Sequence, residues 1–92
     1  MAALDLLGRR WSLRILWELR ADPLGFRALR QRCDAMSTSV LRQRLIELGD
    51  AGLVEQDDQQ RYRLTELGTD LGVALRPLLQ WSQRWAAAAG TP

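Results

Sequence analysis

Histidine is absent from the 92 residues of this chain, and cysteine occurs only once. Without histidine, the histidine-based catalytic triads of hydrolases cannot form. The single thiol, Cys33, has no partner for an internal disulfide, and with neither a second thiol nor a histidine we do not expect a zinc site. The sequence also contains no glycine-rich phosphate loop and no recognisable pair of catalytic carboxylates. We therefore expect no enzymatic activity, no metal and no cofactor.

Long hydrophobic runs are missing as well. No apolar stretch approaches the roughly 18 residues of a membrane-spanning helix, and the first residues do not follow the pattern of a secretory signal peptide. Hydrophobic residues nevertheless make up 47% of the chain, which argues against a disordered polypeptide. These features predict one small domain, residues 1–92, with a modest core and a cytoplasmic location.

Lysine does not occur, so all 13 basic residues are arginine. Residues 9–44 contain nine arginines and three acids, a net charge of +6, whereas residues 45–92 contain four arginines and seven acids, a net charge of −3. Such a concentration of positive charge is typical of a surface that binds phosphate groups. The alternative interpretation is a solvated, arginine-rich surface without a nucleic-acid partner.

Apolar residues at the helical spacing predict two helices at the start of the chain. Their stripe consists of Leu4, Leu7, Trp11, Ile15 and Leu19. The segment Gly8-Arg9-Arg10 interrupts this stripe, so we predict a short first helix and a second one from about residue 11 or 12 to Arg20. Pro23 ends this region, because proline cannot continue a helix.

The spacing then predicts a helix, a turn and a second helix over about residues 25–51. The inner face of the first of these helices consists of Phe26, Leu29 and Cys33. Ser37 is a good N-cap for the second helix. The core-facing residues of that helix are Leu41, Leu45 and Leu48, with Ile46 near the edge of its polar face. Gly52 suits the left-handed residue that follows a helix.

A two-stranded wing is predicted at about residues 53–64, with strands at 53–56 and 61–64. In the second strand Tyr62 and Leu64 share one face and Arg61 and Arg63 the other. A final helix at about residues 65–89 keeps its apolar spacing as far as Trp85, and Pro77 should kink it or divide it in two.

This order of elements predicts a mainly α fold, a winged helix-turn-helix with a short two-stranded β wing, which places the second helix of its motif in the DNA major groove. Polar residues on that helix and on the outer wing face are suited to contact bases or phosphates. The candidate DNA-binding residues are Arg27, Ser37, Thr38, Ser39, Arg42, Gln43, Arg44, Arg61 and Arg63. An ordinary solvated surface is the alternative, and Asp57 and Asp58 at the wing tip would oppose close approach to DNA.

Both ends of the chain carry more apolar residues than one small core needs. The surplus predicts that the first and last helices form a dimer interface with aromatic anchors. The candidate interface residues are Leu6, Leu13, Trp17, Leu78, Trp81 and Trp85. The competing interpretation is that all of them pack within one chain.

Cys33 is expected to be a small core residue beneath the helix turn. A reactive thiol normally needs exposure and positive charge nearby. Arg30 and Arg32 supply nearby charge, so a redox role is the alternative.

Several short motifs follow one another along nearly the whole chain. They are Gly8-Arg9-Arg10-Trp11, the Ile15–Leu19 segment, Gly25–Arg30, Met36–Leu45, Gly52-Leu53-Val54, Tyr62–Gly68, Leu75–Leu78 and Trp81. In this order they resemble the HxlR-type winged-helix regulators of the MarR-like superfamily. The resemblance implies a homodimeric bacterial transcription regulator that dimerises through its first and last helices and engages DNA through its third and fourth helices and wing.

Two features depart from that family. Its usual wing is longer and contains prolines, whereas the wing here is a few polar residues. Many members also carry a cysteine just before the first helix that senses oxidants or electrophiles. This chain begins Met1-Ala2-Ala3-Leu4 without it, so redox sensing is not transferred to Cys33.

We therefore interpret the chain as a homodimeric, sequence-specific transcription regulator that binds double-stranded DNA at a roughly palindromic operator. Its half-sites would lie about one helical turn apart. The alternative is a winged helix that serves as a protein-interaction module. A small hydrophobic effector between the tryptophan-rich helices would add control to the first interpretation rather than replace it.

Overall fold

The computed structural model describes residues 2–90. Five helices and two strands occur in the order α1 (Ala2–Leu7), α2 (Ser12–Glu18), α3 (Phe26–Arg32), α4 (Thr38–Asp50), β1 (Val54–Gln56), β2 (Tyr62–Leu64) and α5 (Glu66–Ala88). This order confirms the predicted mainly α, winged helix-turn-helix fold. The element boundaries lie within about two residues of the predicted ones.

The core is built from the helix-turn-helix and the base of the wing. Its buried side chains are Ile15, Leu16, Leu19, Leu29, Cys33, Met36, Leu41, Leu45, Leu48, Leu53 and Val54. The predicted inner faces of α2, α3 and α4 supply most of these residues, because the 3.6-residue period puts them on one side of each helix. By contrast, α1 contributes no fully buried residue and α5 contributes only Gly68.

The turn before α4 and the end of α4 follow the predicted chemistry. The Ser37 hydroxyl accepts a hydrogen bond from the Val40 backbone N–H at 3.4 Å, as expected of an N-cap. Gly52 follows the helix with a φ of 78°, in the left-handed region that glycine adopts without strain. These two ends fix α4 against the core.

The wing contains one pairing that the sequence did not reveal. β1 and β2 are antiparallel, with Val54 opposite Leu64 and Gln56 opposite Tyr62. The backbone of Leu24, which precedes α3, donates to the Tyr62 carbonyl at 2.9 Å and accepts from the Tyr62 N–H at 2.7 Å. The wing is therefore tied directly to the start of the helix-turn-helix.

α5 begins at a tight junction with the wing. The Thr65 hydroxyl accepts from the Gly68 N–H at 3.0 Å and donates to the Gly52 carbonyl. Gly68 lies so close to the Leu53 carbonyl oxygen that a side chain there would collide with it. Beyond this junction α5 runs unbroken through Pro77, so of the two predicted outcomes, a kink or a division, the division does not occur.

No helix among residues 2–90 is both long and apolar enough to cross a membrane.

Candidate nucleic-acid interface

The outer face of α4 is polar and uncovered. Thr38, Ser39, Arg42 and Gln43 are all exposed, while Leu41, Leu45 and Leu48 hold the opposite face in the core. This confirms the orientation predicted for the helix. Hydroxyl, guanidinium and amide groups are therefore presented together on one helix, as major-groove recognition requires.

Arg42 is positioned by an aromatic ring. Its guanidinium carbon lies 4.7 Å from the centre of the Phe26 ring, within the range of a cation–π contact. Phe26 is the first residue of α3, so the contact holds the guanidinium at the junction of the two helices of the motif. The sequence identified Phe26 only as an inner-face residue and gave no sign of this second role.

The two serines at the start of α4 contact each other, with their hydroxyl oxygens 3.0 Å apart. Ser37 already uses its hydroxyl oxygen as the helix cap, whereas Ser39 lies one turn before Arg42 and Gln43 on the outer face. Ser39 is consequently the better placed of the two to meet a base or a phosphate.

Arg44 makes its contacts within the chain. Its Nε donates to the Arg10 carbonyl at 3.0 Å, and one terminal nitrogen lies 3.0 and 3.1 Å from the two carboxylate oxygens of Glu47. Only 17% of the Arg44 side chain is exposed. This geometry supports a structural tie between α4 and the α1–α2 turn, and the DNA contact suggested for Arg44 stays a prediction.

Glu47 is the centre of that tie. Besides Arg44, it accepts from the Gln43 side-chain amide at 3.1 Å and lies 3.7 Å from a guanidinium nitrogen of Arg9. The Gln43 hydrogen bond is the main cause that lowers the pKa of Glu47, and the charges of Arg44 and Arg9 act in the same direction. The lowered pKa favours the ionised carboxylate, which joins α4 to the α1–α2 turn.

The arginines on the outer wing face are paired with acids. Arg61 Nε lies 2.9 Å from an oxygen of Asp57, and Arg63 lies 3.2 Å from Glu55, its partner across the two strands. Both side chains remain about half exposed. Contact with a phosphate would thus require each arginine to share or exchange its carboxylate partner.

Asp57 faces into the wing turn. Its carboxylate accepts from the backbone N–H groups of Gln59 and Arg61, each at 2.9 Å, and its side chain is only 6% exposed. The Arg61 backbone bond is the first cause of the lowered pKa of Asp57. Of the two acids predicted to oppose DNA at the wing tip, Asp58 is exposed, whereas Asp57 is occupied in closing the turn.

Two arginines of α3 differ in their contacts: Arg27 was predicted to bind DNA, and Arg30 has a role that was not predicted. Arg27 is exposed on α3 and makes no hydrogen bond or ion pair within residues 2–90, so its charge is available. Arg30 instead donates to the Met36 carbonyl at 2.7 Å and to the Ala35 carbonyl at 3.3 Å. It braces a turn in which Asp34 and Ala35 both have positive φ, a role that sequence spacing does not reveal.

Most of the apolar residues predicted to form a dimer interface are exposed on α2 and α5. Five of the six candidate interface side chains are 40–57% exposed, namely Leu13, Trp17, Leu78, Trp81 and Trp85. The rings of Trp81 and Trp85 stack with their centres 6.3 Å apart. These five side chains are therefore only partly covered by their own chain, and the dimer interface stays a prediction. Leu6 is half-buried and packs against the core.

An apolar groove separates α2 from α5, with a volume of about 230 Å³. Leu13, Leu16 and Trp17 form its α2 wall, and Val73 and Leu78 lie on the α5 side. Arg20 and Arg76 also line it. The guanidinium of Arg20 stacks on the Trp17 ring at 3.7 Å and donates to the Trp17 carbonyl.

Cys33 is fully buried, which confirms its assignment to the core. Burial is the main cause that raises the pKa of its thiol, outweighing the opposite effect of the Arg14 charge.

Known proteins resemble this chain over almost its full length. The HxlR-like helix-turn-helix family matches residues 6–89. The HTH-type transcriptional regulator YvaP of Bacillus subtilis is 33% identical over 86 residues, which cover 91% of this chain and 80% of YvaP. The family match therefore includes the helix-turn-helix, the wing and all of α5.

Solved structures agree with this relationship. The structure of quinone-bound YodB from B. subtilis superposes with a TM-score of 0.75 and 34% identity, covering 95% of this chain and 92% of that one. A possible HxlR family transcriptional factor from Thermoplasma volcanium gives a TM-score of 0.82 and 31% identity, covering 92% and 82%. The chain thus belongs to the HxlR-like helix-turn-helix family, whose members are transcriptional regulators rather than enzymes.

Proposed function

We propose that two copies of this chain bind a roughly palindromic DNA operator and control transcription from it. Each copy would place α4 in a major groove, with the two helices about one turn of DNA apart. Because its target is the chromosome, the protein would act in the cytoplasm of a bacterial cell. Specific DNA binding, rather than a merely basic surface, is the core of the proposal.

The observation that carries the proposal is the uncovered polar face of α4. Ser39, Arg42 and Gln43 are exposed together on a helix whose other face is locked in the core. Arginine can contact guanine at two points, and glutamine can do the same with adenine. We assign these three residues to base recognition.

Phosphate contacts would come from the flanking elements. Thr38 lies at the first turn of α4, where free backbone N–H groups favour a phosphate. Arg27 is exposed on α3 and makes no ion pair with any of residues 2–90, and Arg61 and Arg63 lie on the outer face of the wing. We assign Ser37, the exposed N-cap, and the mostly buried Arg44 to holding α4 in position.

Dimerisation would use the apolar surface of α1, α2 and α5. An α5 helix of 23 residues with one buried position has too little of its own chain to pack against. Trp81 and Trp85 form a ready aromatic centre for contact with a second copy. Pairing of the two α5 helices would set the distance between the two α4 helices.

An apolar effector would fit the groove between α2 and α5. Its walls include Leu13, Trp17 and Leu78, which also belong to the proposed dimer surface. A ligand there would change the relation between the two subunits and hence the spacing of the recognition helices. The quinone-bound state of YodB supports this as a class of control.

Selection from random DNA tests the proposal most directly. Purified protein should enrich an inverted repeat whose affinity falls with log salt at a slope of about −5 to −7, if the dimer neutralises some six to eight phosphates. DNA of equal length with a scrambled sequence is the control. If no sequence is enriched and binding hardly changes with salt, the fold serves here as a protein-interaction module.

A further inference from the structure

Ile46 is an apolar residue on the polar face of α4. Its side chain is 53% exposed. It lies three residues after Gln43, four after Arg42 and seven after Ser39, which puts it on the same side of the helix as all three. The sequence places it near the edge of this face, whereas the exposure places it within the face itself.

The Ile46 side chain is not part of the core. Leu41, Leu45 and Leu48 are 0–5% exposed and fill the inner side of α4. Ile46 instead lines an open depression of about 310 Å³ between α4 and the wing, whose lining also includes Arg42, Asp50 and Glu55. It thus forms an apolar point on a surface that we assign to DNA.

The charges around Ile46 restrict what it can contact. Asp50 lies one turn further along α4, and Glu55 lies on the facing strand of the wing. Two carboxylates in the same depression disfavour a phosphate at this point. A neutral base edge, and in particular an apolar group on it, is compatible with both acids.

We propose that Ile46 recognises the C5-methyl group of a thymine in each half-site of the operator. This methyl is the distinctive apolar group that bases present in the major groove. Ile46 follows Arg42 by one helical turn, so the thymine would lie near the base pair that Arg42 contacts. The inference rests on the proposed DNA binding and adds a specificity-determining residue to it.

Deoxyuridine substitution tests this contact, because it removes only the methyl group from a thymine. Each thymine of the enriched operator is replaced in turn, and affinity is measured by fluorescence anisotropy. At one position per half-site, the unmodified protein should lose about fourfold in affinity, the value of one buried methyl. Ile46→Ala should bind both DNAs equally, while Ile46→Val should retain part of the difference.

Gln43→Ala is the matched control, since it changes a neighbouring residue on the same face. It should lower affinity overall but keep the sensitivity to deoxyuridine. The inference is overturned if no thymine shows the effect, if Ile46→Ala shows it undiminished, or if the half-sites contain no thymine. Failure to enrich any DNA would overturn the proposed function as well, so the two failures are distinguishable.

Discussion

At the scale of single residues, similar arginines have different tasks because their guanidinium groups meet different partners. Arg30 hydrogen-bonds the carbonyls of the helix turn, and Arg44 ties α4 to the turn between α1 and α2. Arg42 rests on the Phe26 ring with its outer edge exposed. Only the last of these three can approach a base edge without giving up contacts inside the chain.

Arg42 and Arg63 should affect DNA binding in different ways. Arg42→Ala should weaken operator binding by about 1–3 kcal/mol and relax the preference at one or two base pairs. Arg63→Ala should weaken binding to all sequences alike and reduce the salt slope by about one unit per subunit, since its expected partner is a phosphate. Anisotropy titrations on the operator and on scrambled DNA measure both effects.

Equal losses on the two DNAs for Arg42→Ala would make Arg42 a phosphate contact. Base recognition would then pass to Ser39, Thr38 or Gln43. If neither substitution changes either affinity, the face of α4 does not bind DNA.

The Cys33 thiol should resist oxidation in the folded protein. It is fully buried and its pKa is raised, so little reactive thiolate is formed. DNA affinity should therefore survive peroxide in both the unmodified protein and Cys33→Ser, although the serine variant should lose about 1–3 kcal/mol of stability by burying a hydroxyl. Reversible loss of binding in the unmodified protein alone would establish a thiol switch.

At the scale of elements, substitution of Arg44 tests whether its contacts with Glu47 and the α1–α2 turn stabilise α4. Arg44→Ala removes the bonds to Glu47 and the Arg10 carbonyl and should lower the free energy of unfolding by about 1–2 kcal/mol. Urea denaturation measures this loss. Arg27→Ala is the control, an exposed arginine without such bonds, and should stay within about 0.5 kcal/mol. Unchanged stability together with weaker DNA binding would make Arg44 a DNA contact instead.

The joint between the wing and α5 depends on one glycine. Gly68→Ala would force its new methyl group against the Leu53 carbonyl and should destabilise the fold by about 1–3 kcal/mol. Gly72→Ala, one turn later on the same helix, meets no atom within 4 Å and should stabilise it by up to about 1 kcal/mol. Thermal unfolding of the two variants separates close packing from helix propensity, and equal shifts would show that this contact is relaxed in solution.

At the scale of the whole molecule, a single chain covers little of the surface of its long helix, α5. The molecule extends 44 Å in its longest dimension and 27 and 24 Å in the others. Of the 23 residues of α5, only Gly68 is fully buried. Association of two copies would remove the exposed tryptophans and leucines from water and so supply a second core.

Sedimentation should accordingly show a species of twice the 10.5 kDa chain mass at micromolar concentration. Trp81→Ala and Trp85→Ala should each weaken this association, because they remove the stacked aromatic pair. Ser82→Ala, between the two tryptophans, is the control and should leave the mass unchanged. A sharp monomer for the unmodified protein would contradict dimerisation.

The order of elements, the family and the inward faces of α2, α3 and α4 all follow from the amino-acid sequence. Apolar spacing, the Ser37 cap and the alternation of Tyr62 with Arg63 are local signals, and each depends on residues a few positions apart. The exposure of Trp81 and Trp85 was also predictable, because a small core leaves such a surplus outside.

Which polar groups already have a partner follows only from how the elements pack against one another. The backbone of Leu24 hydrogen-bonds the backbone of Tyr62, Arg44 donates to the Arg10 carbonyl, and the Arg42 guanidinium contacts the Phe26 ring. These partners are too far apart in the sequence for helix or strand periodicity to predict the contacts. In the folded chain the Asp57 carboxylate accepts hydrogen bonds within its own turn, Ile46 lies on the outer face of α4, and α5 continues past Pro77. Patterning shows that a side chain is polar or apolar, but its partner depends on how the packed elements approach one another in space.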